Sequence, residues 1–134
     1  MTLISTHAVI MFAAYVVTGA MLVGAFVFVY EKLTPYREFE MIEQGNVAAS
    51  ISIVGAMIGF ALPIAAVMIH AQWLDVMIQW SVIALAAQFA AYLVASFVLH
   101  GIKARMNEGN VAAGTFLCGV HLTTGILIAA GMVE

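Results

Sequence analysis

Hydrophobic positions along the chain gather into four long runs, about 7–29, 47–69, 76–100 and 111–133, parted by short polar stretches. None of the four contains Lys, Arg, Asp or Glu, and Asp75 stands just outside the third. The alternation of a strand facing lipid on one side is missing from all of them. A bilayer core asks for about 20 mostly apolar residues per helix. The pattern therefore predicts an all-α membrane protein of four transmembrane helices, folded as a single domain over residues 1–134.

Composition points the same way. Hydrophobic residues make up 65% of the chain and charged residues 8%, against about a quarter charged in an ordinary soluble domain. So few charges cannot cover a soluble domain of this size, and most of the outside must face lipid. The first run is too long for a signal-peptide core, and no Lys or Arg precedes it. Cys118 is alone in an apolar run, which excludes an intrachain disulfide or a thiolate metal cage. A net charge of −3 with no basic cluster argues against a nucleic-acid partner.

The four basic residues set an orientation. Lys32 and Arg37 lie between the first two runs, and Lys103 and Arg105 between the last two. By the positive-inside rule both loops are expected in the cytoplasm and both termini in the periplasm. Trp73 and Trp80 would then mark the outer interface, and Tyr30, Tyr36 and Phe39 the inner one.

One word is written twice. GNVAA occurs at 45–49 and again at 109–113, an offset of 64 positions, each time opening a long apolar run. The chain thus reads as two helical hairpins in the same orientation, a parallel repeat over about 7–69 and about 76–133. Asn46 and Asn110 suit the N-cap, where a side-chain oxygen accepts from free backbone N–H groups. Gly45 and Gly109 let the chain turn tightly into the helix. Ala48, Ala49, Ala112 and Ala113 keep the first turn thin enough for a neighbouring helix.

Residues 30–63 carry a resemblance to a known family through Tyr30, Thr34, Pro35, Glu38, Ile42, Gly45, Asn46, Ala48, Ala49, Gly55, Gly59 and Pro63. The second half echoes it at Asn110, Ala112, Ala113 and Gly114. The chain resembles the YjfL-type family of small bacterial inner-membrane proteins, a domain of unknown function. That resemblance implies a four-span protein of the bacterial inner membrane built from two repeats, and no established activity. Family genes often neighbour those of phage-shock-type peripheral membrane proteins, which implies a setting in envelope stress.

Within the first basic loop, Thr34 followed by Pro35 reads as a helix start, an N-cap and then a first-turn proline. Tyr36, Phe39 and Ile42 recur every three residues while Glu38, Glu40 and Glu43 point elsewhere, as in a short helix lying on the membrane surface. Tyr36, Glu38 and Phe39 are accordingly expected to form a docking surface for a cytosolic or peripheral membrane protein. Polar residues inside the spans usually face the protein interior. Gln88 and His121 stand near the middle of spans three and four, with Thr123 and Thr124 close by. They are read as an intramembrane polar site that joins helices or senses protons. Gly55, Gly59 and Gly119 have the spacing that lets helices touch, and Pro63 should bend the second span.

No Ser–His–Asp set, HExxH motif or pair of carboxylates within a span is present, so no enzyme, metal or cofactor is expected. The favoured function is a non-catalytic oligomeric scaffold or accessory subunit in contact with membrane lipid and a partner. The alternative is an oligomeric conduit for an ion or small solute, lined by span four through His121, Thr123 and Thr124.

Overall fold

A computed structural model describes residues 3–70 and 73–132, so the C-terminal Glu134 and residues 71–72 between the second and third runs lie outside the described residues. The chain runs through α1 (Thr6–Leu33), α2 (Glu38–Glu43), α3 (Val47–Ile69), α4 (Leu74–Val98), α5 (Ile102–Asn107) and α6 (Val111–Gly131). Four of them, α1, α3, α4 and α6, are long and apolar enough to cross a membrane. Their outer faces are apolar too: Phe12, Met21, Phe28, Val82, Phe97 and Leu127 are all exposed. At 1.5 Å per residue the 28-residue α1 is about 42 Å long, well beyond a hydrocarbon core of about 30 Å. Phe26 of α1 stacks on Phe60 well inside α3, which places the excess length at the N-terminal end of α1.

The short helix α5 is not foreseen by the hydrophobic pattern. It stands 64 positions after α2 at both ends, as the two GNVAA words do. The word is a joint between helices, and it does two jobs. Gly45 has φ +84° and Gly109 φ +75°, left-handed values that a side chain would strain. Gly45 N–H donates to Ile42 O and Asn46 N–H to Met41 O; Gly109 N–H donates to Met106 O and Asn110 N–H to Arg105 O. Both glycines thereby close a short helix with the paired bonds of a left-handed C-terminal cap. One residue later the asparagine opens a long helix. Asn46 Oδ1 accepts from Ala49 N–H at 3.0 Å and Asn110 Oδ1 from Ala113 N–H at 3.1 Å. The two joints also touch, because Asn46 Nδ2 donates to Met106 O at 2.7 Å.

Thr34 works differently from the helix start expected of it. It is the C-cap residue of α1, its N–H donating to Tyr30 O, while α2 begins only at Glu38 behind Arg37. Its hydroxyl turns inward to Tyr36 O and Glu38 Oε1 instead of capping a helix at Pro35.

The centre of the bundle is α3, half of whose most apolar stretch is inside, against 17% for α1. It packs chiefly on α6, and the two run side by side from adjacent joints. Small residues make this possible. A Cβ added at Gly114 would run into the backbone of Ala48, one at Gly55 into Cys118, one at Gly59 into the His121 carbonyl, and one at Gly125 into the Gly59 carbonyl. In lipid, where hydrophobic burial drives little, such backbone approach is the main source of helix association. Pro63 lies inside α3 and deprives the Gly59 carbonyl of its usual i+4 donor. That freed oxygen lies against Gly125, the one residue type whose backbone leaves room for it. Ala48, Ala49 and Ala113 are buried along the same seam, whereas Ala112 is exposed.

Gly119 has nothing within 4 Å of where its Cβ would be and faces outward. Gly59→Ala is accordingly expected to destabilise the fold by about 1–3 kcal/mol through overpacking at a seam that cannot yield. Gly119→Ala should stay within about 0.5 kcal/mol of wild type. Reversible unfolding in mild detergent measures both, and equal effects would remove the seam from its central place.

Candidate functional site: a buried tyrosine, histidine and glutamine

His121 is the midpoint of α6, about 15 Å from either end of that helix at 1.5 Å per residue. It is fully buried, as are Gln88 of α4 and Tyr30 of α1. His121 Nδ1 lies 2.6 Å from Gln88 Oε1, and His121 Nε2 lies 2.8 Å from the Tyr30 hydroxyl. Gln88 Nε2 donates to the His121 carbonyl at 3.1 Å. α3 completes the enclosure, since the position of a Gly59 Cβ would be 2.9 Å from Gln88 Nε2. All four long helices meet at this point.

The hydrogen positions follow from the partners. A backbone carbonyl only accepts, so the Gln88 amide must turn its NH2 toward His121 O and its oxygen toward the ring. That oxygen only accepts as well, so His121 carries a hydrogen on Nδ1. In the neutral ring Nε2 is then the acceptor, and Tyr30 O–H donates to it. Every polar atom of the three side chains that faces inward is engaged in this arrangement.

Aromatic rings continue from Tyr30 toward the α2 end. Tyr30 stands edge-on to His121 at 5.3 Å and to Tyr92 at 6.2 Å, and Tyr92 meets Tyr36 at 6.4 Å. Phe26, one turn before Tyr30, stacks on Phe60 of α3 at 4.2 Å. Tyr30 and Tyr36 are therefore interior residues and not the interface markers expected from their place near the end of span one; only Phe39 of that trio is exposed. A phenol near the end of a span suits the interface as well as an interior partner. Tyr30 stood among the family-matching residues, and its spacing of four from Phe26 was the signal for a buried face.

Of the four residues expected to form the intramembrane polar site, the structure joins Gln88 to His121 and separates both from the threonines. Thr123 follows His121 by about 200° around the helix and is exposed. The half-buried Thr124 returns its hydroxyl to Val120 O of its own helix at 2.8 Å. Thr115, Gly119 and Thr123 instead line a shallow groove of 420 Å³ on the outer face of α6.

At the α2 end, Glu38 is completely buried instead of sharing an outward acidic face with Glu40 and Glu43. The inner side of α2 is Glu38 and Met41, while Phe39 is 42% exposed. Burial pushes the Tyr36 phenol far above its usual range, and the neighbouring Glu38 carboxyl adds to it. Next to Tyr36 a depression of 280 Å³ is shared by the two short helices, with Arg37, Glu40 and Gln44 on one side and Lys103 and Asn107 on the other.

A family model described as Domain of Unknown Function (DUF350) matches residues 3–132. The chain belongs to this family. Over 121 residues it is 31% identical to the UPF0719 inner membrane protein YjfL of Escherichia coli (strain K12), covering 90% of this chain and 92% of the relative. The same figures hold for the protein of that name from Escherichia coli O157:H7. No solved structure matches. Family membership and the four apolar helices make the chain a multi-pass inner-membrane protein, as its motifs implied.

Hydrogen bonds between membrane helices are worth about 0.6 kcal/mol on average and up to about 1.7. Tyr30→Phe leaves His121 Nε2 buried without a donor, so a loss of about 1 kcal/mol is expected. The same change in a His121→Leu background should cost much less. Unfolding of the double-mutant cycle in detergent measures the coupling, and additive losses would show that the bond contributes nothing.

Proposed function

We propose that the chain is a non-catalytic, oligomeric membrane component, a scaffold or accessory subunit that meets a peripheral protein at its α2–α5 end. The observation that carries this reading is the engagement of the mid-span polar groups with one another. His121, Gln88 and Tyr30 are held by partners from the same chain and sealed by the α3–α6 seam, which suits a structural element better than a substrate site. The exposed recognition chemistry is gathered at one end, where α2 and α5 share a cleft with Arg37, Glu40, Gln44, Lys103 and Asn107 around it. Arg37 and Glu40 are themselves largely exposed, with 3.7 Å between their charged groups.

The four basic residues, all near this end, support placing it in the cytoplasm with both termini in the periplasm. The alike joints at Gly45–Asn46 and Gly109–Asn110, and the equal offset of α2 and α5, support two parallel hairpin repeats. Of the three residues first read as a docking loop, Phe39 keeps that part, joined by Arg37 and Lys103. Envelope stress is the setting we attach to this reading, on the family resemblance.

A second reading rests on the outer groove of α6. Small and hydroxyl-bearing residues aimed at lipid are poor lipid contacts and good helix contacts. Thr115, Gly119 and Thr123 therefore support a self-association face, and a closed ring built through it would put those threonines beside a shared path. His121 belongs to neither lining.

Mass measurement in lipid nanodiscs decides between them. A dimer that Gly119→Leu converts to folded monomers supports the scaffold; a ring of four or more with solute flux that Thr123→Val changes supports the conduit. For the docking face, Arg37→Glu with Lys103→Glu should abolish partner recovery at wild-type protein levels. Unchanged recovery would remove the α2–α5 cleft from the reading.

A further inference from the structure

A second buried polar cluster lies where α2 folds against the bundle. Glu38 is 0% exposed, with Oε1 3.4 Å from Thr34 Oγ1. Its Oε2 is buried with no hydrogen-bond partner, and the buried Tyr36 and Ser52 hydroxyls interact with each other only outside good hydrogen-bond geometry. Thr34 has a single hydroxyl hydrogen and three oxygens around it: Glu31 O and Tyr36 O, each at 3.3 Å, and Glu38 Oε1. The two carbonyls only accept, so once the Thr34 hydrogen points to either of them, the Thr34–Glu38 contact needs its hydrogen from the carboxyl.

The groups that act on Glu38 offer no compensating positive charge. α1 contributes Glu31 and the Tyr30 phenol, the α1–α2 turn contributes Tyr36, and α4 contributes Tyr92, while α3 sets the neutral Ser52 against Tyr36. Arg37 follows Tyr36 in the turn but is 85% exposed and directed at Glu40. An ionised carboxylate buried without a cation is among the costliest arrangements in a protein, and neutralisation is the usual escape.

We propose that Glu38 is a proton-binding site that latches α2: the neutral carboxyl holds the short helix inside the bundle, and loss of its proton releases α2 to water. The site adjoins the α2–α5 cleft but does not depend on what docks there. Burial pushes the carboxyl from its ordinary 4.5 up to about 8; the Thr34 hydroxyl opposes this, and the Glu31 charge adds to it. Between those two pH values the folded chain holds a proton that the unfolded chain has given up. The stabilisation is thus complete below about 4.5, shrinks as pH rises, and is gone once pH has passed about 8. The helix is built to leave. It has six residues, its N-terminus is pinned to α1 by one exposed bond from Phe39 N–H to Glu31 Oε1 at 3.3 Å, and its other end turns on Gly45.

The test uses the full chain in nanodiscs, titrated from about pH 5 to about pH 10. Infrared spectra should show a protonated-carboxyl band that survives at neutral pH and disappears with a midpoint of about 8. Glu38→Gln should lack the band, and a variant with Glu31, Glu40, Glu43, Glu108 and Glu134 changed to Gln and Asp75 to Asn should keep it, which assigns the band even if Glu38→Gln does not fold. Amide exchange in residues 38–46, corrected for its intrinsic pH dependence, should rise by up to about tenfold per pH unit between about pH 5 and the midpoint in wild type and level off above it. It should stay flat in Glu38→Gln. A carboxyl band already lost at neutral pH, or exchange in α2 that ignores the titration, overturns the proposal.

Discussion

The close approach of α3 to α6 is the constraint on which the rest of this structure depends. Lipid offers the two helices almost no hydrophobic reward for meeting, so they must meet through backbone contact. Gly59 and Gly125 supply that contact, and Pro63 makes it specific by freeing the Gly59 carbonyl that Gly125 accommodates. With α6 drawn this close, the His121 carbonyl comes within reach of Gln88 on α4, and the imidazole within reach of Tyr30 on α1. One seam of small residues thereby places a polar side chain from each of three helices at a single point.

That polar centre acts more through the cost of mispairing than through the energy of its bonds. Each bond contributes about 1 kcal/mol or less in a membrane, whereas a buried polar atom left alone costs about 1–3 kcal/mol. An amide with one NH2 and one oxygen, facing one carbonyl and one ring nitrogen, fits in only one way. Sliding α6 by a turn against α4 would break all three contacts together. The centre therefore selects a register between helices whose outer surfaces, being largely apolar, could slide at little cost.

The α2 end is arranged on the opposite principle. There the bundle encloses one carboxyl oxygen and two hydroxyls outside hydrogen-bond geometry, under a helix of only six residues. A satisfied network at mid-span and an unsatisfied one beside a short, hinged helix divide the molecule into a rigid interior and a segment that a single proton can hold. Phe39, Arg37 and the α5 side chains of the shared cleft lie on or beside that segment.

What the sequence determined by itself is what local chemistry dictates. Four apolar runs without charge require four spanning helices, because a backbone in lipid must satisfy its own hydrogen bonds. GN before VAA requires a joint, because a left-handed residue followed by an N-cap is a local solution. The span limits were read to within a few residues, and Gln88 and His121 were legible as interior residues because polar groups at mid-span avoid lipid. Only the tertiary structure decided which polar groups meet. Tyr30 and Glu38 sit at chain positions where a water-facing side chain is equally natural, and their burial depends on neighbours 91 residues away for Tyr30 and on the fold of a whole loop for Glu38. Gly119 and Gly125 share one helix and one residue type, yet only Gly125 faces the seam, because the turn of α6 relative to α3 is fixed by packing between helices and not by either helix alone.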